Sequence, residues 1–362
     1  RWSRQVKREG GGSGSAWNTV AFVPTMGSLH AGHLSLVAEA KKRATHVVVS
    51  IYVNPSQFAP HEDFSEYPRH FDSDLRKLAP YQVDAIFVPK NLYARRGEAP
   101  AAALAATGPR EDGGGGCGEG EGGAMAAAAR KDPLVSCSTG SHQTWVRCVD
   151  LERPLCGQSR PHFFKGVATV VTKLFHIVEP DVAVFGRKDF QQLRVIETMV
   201  AELDFSIDVV GVPIAREEDG LAMSSRNALL SPGDRARATC IHGALCDLRD
   251  QVLLKAKAAA AEVGEGERGA LDAGEAKRVI AGKIAAGGGR VDYVSVIDPT
   301  DLSDIEGDLV AFRRRQCRGA EAAGLEIQGS GSGSGSRPGA VLVAVAAFFN
   351  SVRLIDNLLI EP

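Results

Sequence analysis

The chain has 362 residues, a formal net charge of -2 and 44% hydrophobic residues, enough apolar material for a globular protein of two domains. Its 42 Lys and Arg against 44 Asp and Glu leave no basic excess, which argues against a nucleic-acid partner. Seven cysteines (117, 137, 148, 156, 240, 246 and 317) form no CxxC pair, which points to reduced thiols and against a disulfide framework or zinc site.

Arg1 to Gly10 is polar and basic and lacks the apolar stretch of a secretory signal. The first residue is not methionine, so organellar import stays open beside a cytoplasmic location. Val20 to Val23 is an apolar run ended by Pro24, Gly27 permits a tight turn, and Leu34, Leu36, Val37 and Ala40 recur at helical spacing. Strand, glycine turn and helix in this order aim backbone N–H groups and a helix dipole at whatever lies over the strand end, usually a phosphate. His30 and His33 share one face of that helix's first turn, where imidazoles can meet phosphate oxygens or, as a second reading, ligate a metal.

Further apolar strands are expected at Val47 to Val53, Ala85 to Val88, Val182 to Phe185 and Val209 to Val212. Amphipathic stretches alternate with them at Leu34 to Arg43, Phe71 to Leu78, Gly166 to Ile177 and Phe190 to Glu202, the pattern of βαβ units around a parallel sheet. Phe185-Gly-Arg-Lys-Asp-Phe-Gln-Gln192 again puts glycine, cations and a carboxylate at a strand-to-helix turn. In Met223-Ser-Ser-Arg-Asn227, hydroxyls and an arginine fork can clamp a polyphosphate, although Ser225 could equally cap a following helix.

After Ile214 come helical stretches at Arg235 to Ala261 and Ala273 to Ala285, then strand-like Val291 to Val296, Val341 to Ala347 and Val352 to Ile355. The longest apolar run, Val341 to Phe349, falls far short of the roughly 20 residues of a membrane helix and reads as a buried strand. Residues 94 to 139 and 313 to 338 are rich in Ala, Gly and Ser and are expected to be mobile inserts, through low-complexity expansion or as regulatory tethers. The Gly/Ser run at 10–15 reads as a linker of the same kind.

The motifs PTMGSLHAGH, VSIYVNPSQF, YPR at Tyr67, SRPHFFKGVATVVTKLFHIVEPD, FGRKDFQQ, DGLAMSSRN and RLIDN, in this order, resemble the pantoate–beta-alanine ligase family, in its plant and algal form. The resemblance covers Phe22 to Lys90, Val146 to Leu230 and, more weakly, Val291 to Ile297 and Val341 to Ile360. It implies a Rossmann-like nucleotidyltransferase domain of the HxGH type over residues 1–214. A smaller α+β C-terminal lid domain over 215–362 completes an α/β protein. It also implies ATP as substrate with Mg²⁺, small-molecule partners (pantoate, beta-alanine and ATP), no membrane partner and a homodimer.

Residue by residue, the resemblance assigns ATP contacts to Thr25, Met26, Gly27, His30 and His33. It extends them to Gly186, Arg187, Lys188 and Asp189, to the backbone near Ala215, and to Met223, Ser224, Ser225 and Arg226. His33, with His30, Lys188 and Arg226, would serve the chemistry, His33 as proton donor; Gln57, Gln192 and Met26 would hold pantoate. No direct protein ligand for a metal is assigned. Arg187 stands where many bacterial members carry glutamate, Phe163 replaces a family histidine, and a metal role for Asp72-Ser73-Asp74 is doubtful. A relative that keeps AMP in its product, and a non-catalytic nucleotide sensor, are the competing functions. Gln57 with Gln192 argues against the first, and His30, His33, Lys188 and Arg226 against the second.

Overall fold

Short runs rich in Val and Ile, separated by helices long enough to cross back over a sheet, return to the same end and so pair in parallel. A computed structural model describes residues 2–9, 17–59, 62, 64–65, 67–93, 142–261, 271–322 and 337–361. Its elements are α1 (Trp2–Glu9), β1 (Val20–Thr25), α2 (Ala31–Arg43), β2 (His46–Ile51), α3 (Phe71–Leu78), β3 (Ala85–Phe87), α4 (Cys156–Ser159), α5 (Phe163–Val178) and β4 (Val182–Gly186). There follow α6 (Phe190–Glu202), β5 (Asp208–Val212), α7 (Pro232–Arg237), α8 (Cys240–Ala261), α9 (Ala273–Ala286), β6 (Arg290–Ile297), α10 (Leu309–Ala322), β7 (Val341–Phe349) and β8 (Val352–Ile360).

The first five strands form one parallel sheet in the order β3-β2-β1-β4-β5. Its two faces are covered by separate apolar clusters. Ala21, Val23, Val47, Val49 and Val184 pack on α2 through Leu36, Val37 and Ala40. Phe22, Val48, Ala183 and Phe185 pack on α5 and α6 through Val171, Phe175, Ile196 and Met199. The α/β expectation therefore holds, and the strand order changes direction between β1 and β4, where such sheets leave a ligand crevice beyond the carboxyl ends.

Pro24 lies inside β1, not after it. Thr19 and Thr25 bond through their carbonyls to the β2 side, at His46 and Tyr52, while Val20 bonds to the β4 side at Asp181. Position 24 thus faces β4, whose pairing with β1 ends at Phe22 and Ala183. Proline's missing N–H costs no ladder bond there, and the two strands diverge into the crevice.

The last three strands make an antiparallel sheet in the order β6-β7-β8. Leu342 and Ala344 of β7 join the cluster around α5 and α6, whereas Val341, Val343, Val345 and Phe349 pack on α8 and α9. Burial on both faces explains why this run is apolar without alternation.

Two elements depart from the sequence expectations, and one helix adds to them. The stretch Arg235 to Ala261 divides into α7 and α8 around Ala238 and Thr239. Trp2–Glu9 is helical and docked, with an Arg4–Glu179 pair and Lys7 Nζ 2.7 Å from Asp181 Oδ1. The insert expected from Arg313 needs correction at its start, because α10 runs to Ala322 with Leu309, Val310, Arg313 and Ala320 buried along one face. Residues 323–336 of that insert, the whole of the one at 94–139 and the Gly/Ser run at 10–15 lie outside the described residues. Among the described residues no helix is long and apolar enough to cross a membrane.

Candidate active site

The carboxyl end of β1 is shaped by its own hydroxyl and by an acid from elsewhere in the chain. Thr25 Oγ1 donates to Ser50 O (2.7 Å) and accepts from Gly27 N (3.2 Å). Gly27 has φ +83°, and a Cβ there would meet Ile51 Cγ2 at 3.0 Å and Asp74 Oδ2 at 3.1 Å, so both dihedral and space call for glycine. Asp74, buried on α3, accepts Ser28 N–H (2.9 Å) and Leu29 N–H (2.7 Å), and Lys77 one turn later donates to Leu29 O (2.5 Å). Asp74 thus braces the turn through these two backbone amides.

His30 is the N-cap of α2, and the two histidines form a capping box. His30 Nδ1 accepts Gly32 N–H (3.2 Å) and His33 Nδ1 accepts His30 N–H (3.3 Å). With both Nδ1 atoms accepting, each neutral ring carries its proton on Nε2, a tautomer assigned from this network. The rings stand 4.1 Å apart between centroids. Burial, then the charges of Lys188 and Lys77, hold His30 down at about 4, with Asp189 opposing. Burial, then His30, Lys188 and Lys77, hold His33 at about 3. At neutral pH the pair is therefore two uncharged N–H donors beside two ammonium groups, an arrangement suited to phosphate oxygens.

These shifts carry a stability consequence. The unfolded chain takes up histidine protons below about 6.5, while the folded chain resists doing so down to about 4 or below. Stability from the pair is fully present above about pH 6.5 and falls as the pH drops toward 4, because the unfolded state then binds more protons. Urea unfolding should show wild type losing more stability between about pH 7 and pH 5 than a His30→Gln/His33→Gln variant. Equal losses would contradict the burial of uncharged rings.

Across the crevice, β4 ends in Gly186 and a 3-10 turn, Arg187–Asp189, leads into α6. The side chain of Lys188 makes no hydrogen bond among the described residues, yet its backbone is held: Asn357 Nδ2 donates to Arg187 O (3.0 Å) and Lys188 O (2.8 Å). Arg187 lies along Gly211 of β5, where a Cβ would come 3.2 Å from its Nε.

A hairpin over residues 215–223 forms the third wall. Its bonds include Met223 N to Ala215 O (3.0 Å) and Glu217 N to Leu221 O (2.9 Å). A Cβ on Gly32 would lie 3.6 Å from Ala215 Cβ, so the hairpin base sits against the histidine turn. Arg216 forks onto buried Asp356, Nη1 to Oδ2 at 2.7 Å and Nη2 to Oδ1 at 2.9 Å. The cap in the Ser-Ser-Arg loop is Ser224, not Ser225: its Oγ accepts Arg226 N–H (3.3 Å) at the head of the 3-10 turn Ser225–Leu229. Capping and binding are compatible here, since the hydroxyl keeps its own proton to donate.

Gln57 is buried in the 3-10 turn Pro55–Gln57 after β2. Asn54 Nδ2 donates to Gln57 Oε1 (2.8 Å), Arg160 Nη2 to Gln57 O (3.0 Å), and Tyr93 Oη to Asn54 Oδ1 (2.9 Å). Gly166 of α5 comes so close that a Cβ there would overlap Ser56 O. Gln192, half-buried in the first turn of α6, makes no hydrogen bond among the described residues, and none joins it to Gln57. Its neighbour Gln191 is structural, donating to Leu151 O (2.9 Å) and Pro154 O (2.7 Å). A depression of about 470 Å³ lined by Glu197, Asp204, Phe205 and Asp208 sits at the amino end of β5. It is remote from this crevice, and its acids suit no polyphosphate.

The family model described as pantoate-beta-alanine ligase matches residues 3–359. The chain belongs to the pantoate–beta-alanine ligase family. A Lotus japonicus pantoate–beta-alanine ligase is 42% identical over 364 residues, 99% of this chain and 94% of that protein. The Arabidopsis thaliana pantoate–beta-alanine ligase is likewise 42% identical, over 360 residues, with 99% and 94% covered. A crystal structure of pantothenate synthetase from Thermus thermophilus superposes with a TM-score of 0.63 at 32% identity, over 95% of this chain and 94% of that one.

For a pantoate–beta-alanine ligase the structure adds residues that the motifs did not single out. Asp74, Lys77, Asn54 and Asn357 each hold or flank a segment expected to face substrate. Asn54 and Asn357 lie inside quoted motifs, so their signal was present without a role. Lys77 had only the ordinary signature of an amphipathic helix, and Asp74 figured as the end of the acidic triplet after Tyr67-Pro68-Arg69, not as a brace.

Proposed function

We propose that this enzyme joins the carboxylate of (R)-pantoate to the amine of beta-alanine at the expense of ATP, through a pantoyl-adenylate intermediate, releasing AMP and pyrophosphate. The observation that supports it best is the crevice at the β1/β4 switch point. There two uncharged Nε2–H imidazoles and the cations of Lys77 and Lys188 meet.

A carboxylate does not acylate an amine in water, because oxide would have to leave; converting it to a mixed anhydride with AMP supplies a good leaving group. In the first step a pantoate carboxylate oxygen attacks the α-phosphorus and the bond to pyrophosphate breaks. Charge then moves onto the departing oxygens, to which His30 and His33 would donate hydrogen bonds and whose charge Lys188 would offset. Gln57 and Gln192 would hold pantoate as neutral donors, and Ser224, Ser225 and Arg226 would close on the triphosphate. In the second step the beta-alanine amine attacks the acyl carbon and AMP leaves. Mg²⁺ would enter as part of the MgATP substrate, with Asp189 the carboxylate beside the histidines.

The two-step scheme has a direct check. Labelled pyrophosphate should exchange into ATP when pantoate is present and beta-alanine absent, and AMP should accumulate when both are supplied. Release of ADP and phosphate would eliminate the adenylate route, and a product retaining AMP would favour a nucleotidyltransferase instead.

A further inference from the structure

We infer that Asp356 and Asn357, adjacent on β8, are positioning residues that hold the two ATP-facing segments in register; this rests on the ATP site proposed above. Successive strand residues point to opposite faces. Ile355 and Leu359 pack on the core around α5 and α6, and Leu354 and Ile360 on the core around α8 and α9. Asn357 therefore reaches toward the parallel sheet and Asp356 toward the helical side.

On the first side, both hydrogens of the Asn357 amide are used on the carbonyls that flank Lys188, at 3.0 and 2.8 Å. These two peptide planes set the direction in which the Lys188 side chain leaves the backbone. On the second side, Asp356 takes the Arg216 fork. Arg216 also donates to Asn357 O (3.3 Å) and to Gly220 O (3.0 Å), so hairpin and strand are tied by side chain and backbone together. Arg216 follows Ala215 and opens the hairpin that leads to Met223–Arg226. One dipeptide thus sets the distance between Lys188 and the Met223–Arg226 loop, the two segments proposed to meet the triphosphate from different sides. A shift of either segment by an ångström misplaces groups that act only when aligned.

The test is a double-mutant cycle in the pantoate-dependent ATP–pyrophosphate exchange, with Asn357→Leu, Lys188→Met and the double variant of the full-length enzyme. Asn357→Leu is expected to lower kcat by about 10–100-fold, the size of a misplacement effect, and to change the pantoate KM little. Once Lys188 is gone, the same substitution should cost almost nothing more, because its effect runs through that side chain. Losses that multiply independently overturn the inference, as does an unaffected Asn357→Leu enzyme. If Asn357→Leu does not fold, the cycle is run with Asn357→Asp, which keeps shape and removes the donors; failure of both to fold assigns Asn357 to stability and also overturns it. Absence of exchange in wild type overturns the functional reading and this inference with it. Exchange in wild type with multiplicative losses overturns this inference alone.

Discussion

Replacing His33 with alanine is expected to slow adenylate formation by roughly 10²–10³-fold, the usual effect of removing one preorganised donor from a developing charge. The ring is held by its bond to the His30 amide, and its proton sits on Nε2 at any pH above about 3, so the donor is in place before substrate arrives. Its contribution belongs to the step in which pyrophosphate departs. Attack of beta-alanine on preformed pantoyl adenylate should therefore suffer far less. Rapid-quench measurement of the two half-reactions separates these cases, and equal damage to both would assign His33 to structure. Because a neutral ring is the working form, the rate of adenylation should also show no histidine titration near about 6.5.

Gly166→Ala should impair pantoate binding although it replaces no residue expected to meet pantoate. The added Cβ would overlap Ser56 O and lie 3.0 Å from Gln57 N, against backbone that no side-chain rotation can move. Helix α5 and the Pro55–Gln57 turn must separate, at about 1–3 kcal/mol of overpacking. Gln57 then leaves the position set by Asn54. Gln57→Ala provides the comparison: losing a donor to a buried substrate oxygen costs about 1–3 kcal/mol and should appear in the pantoate KM. Both variants should raise that KM and leave the ATP KM nearly unchanged. A Gly166→Ala enzyme with wild-type stability and KM would show that the close approach is not required.

What could be read from the chain ahead of its structure follows the range of the contacts. Strand, glycine turn and helix from Val20 to Arg43 form a local pattern, and both ends of the first turn declare themselves through Gly27 and the paired histidines. The acid that braces this turn was not legible, because Asp74 lies 45 positions from Leu29 and looks like any exposed helix acid until packed. Asn357 and the Lys188 turn are 169 positions apart, so RLIDN could mark the family while its task stayed hidden. Helix α10 was obscured differently. Three consecutive arginines and a Gly/Ser tail masked a face on which Leu309, Val310 and Ala320 are buried and even Arg313 is 6% exposed.

The histidine capping box also governs coordination chemistry. A zinc ion needs an unshared electron pair from each imidazole, but both Nδ1 pairs are committed to backbone N–H groups and both Nε2 atoms carry protons. Metallating either ring at Nε2 would push its proton to Nδ1, straight at the amide it now receives, and would undo the cap of α2. Loading zinc on this pair would therefore cost the first turn of that helix its cap.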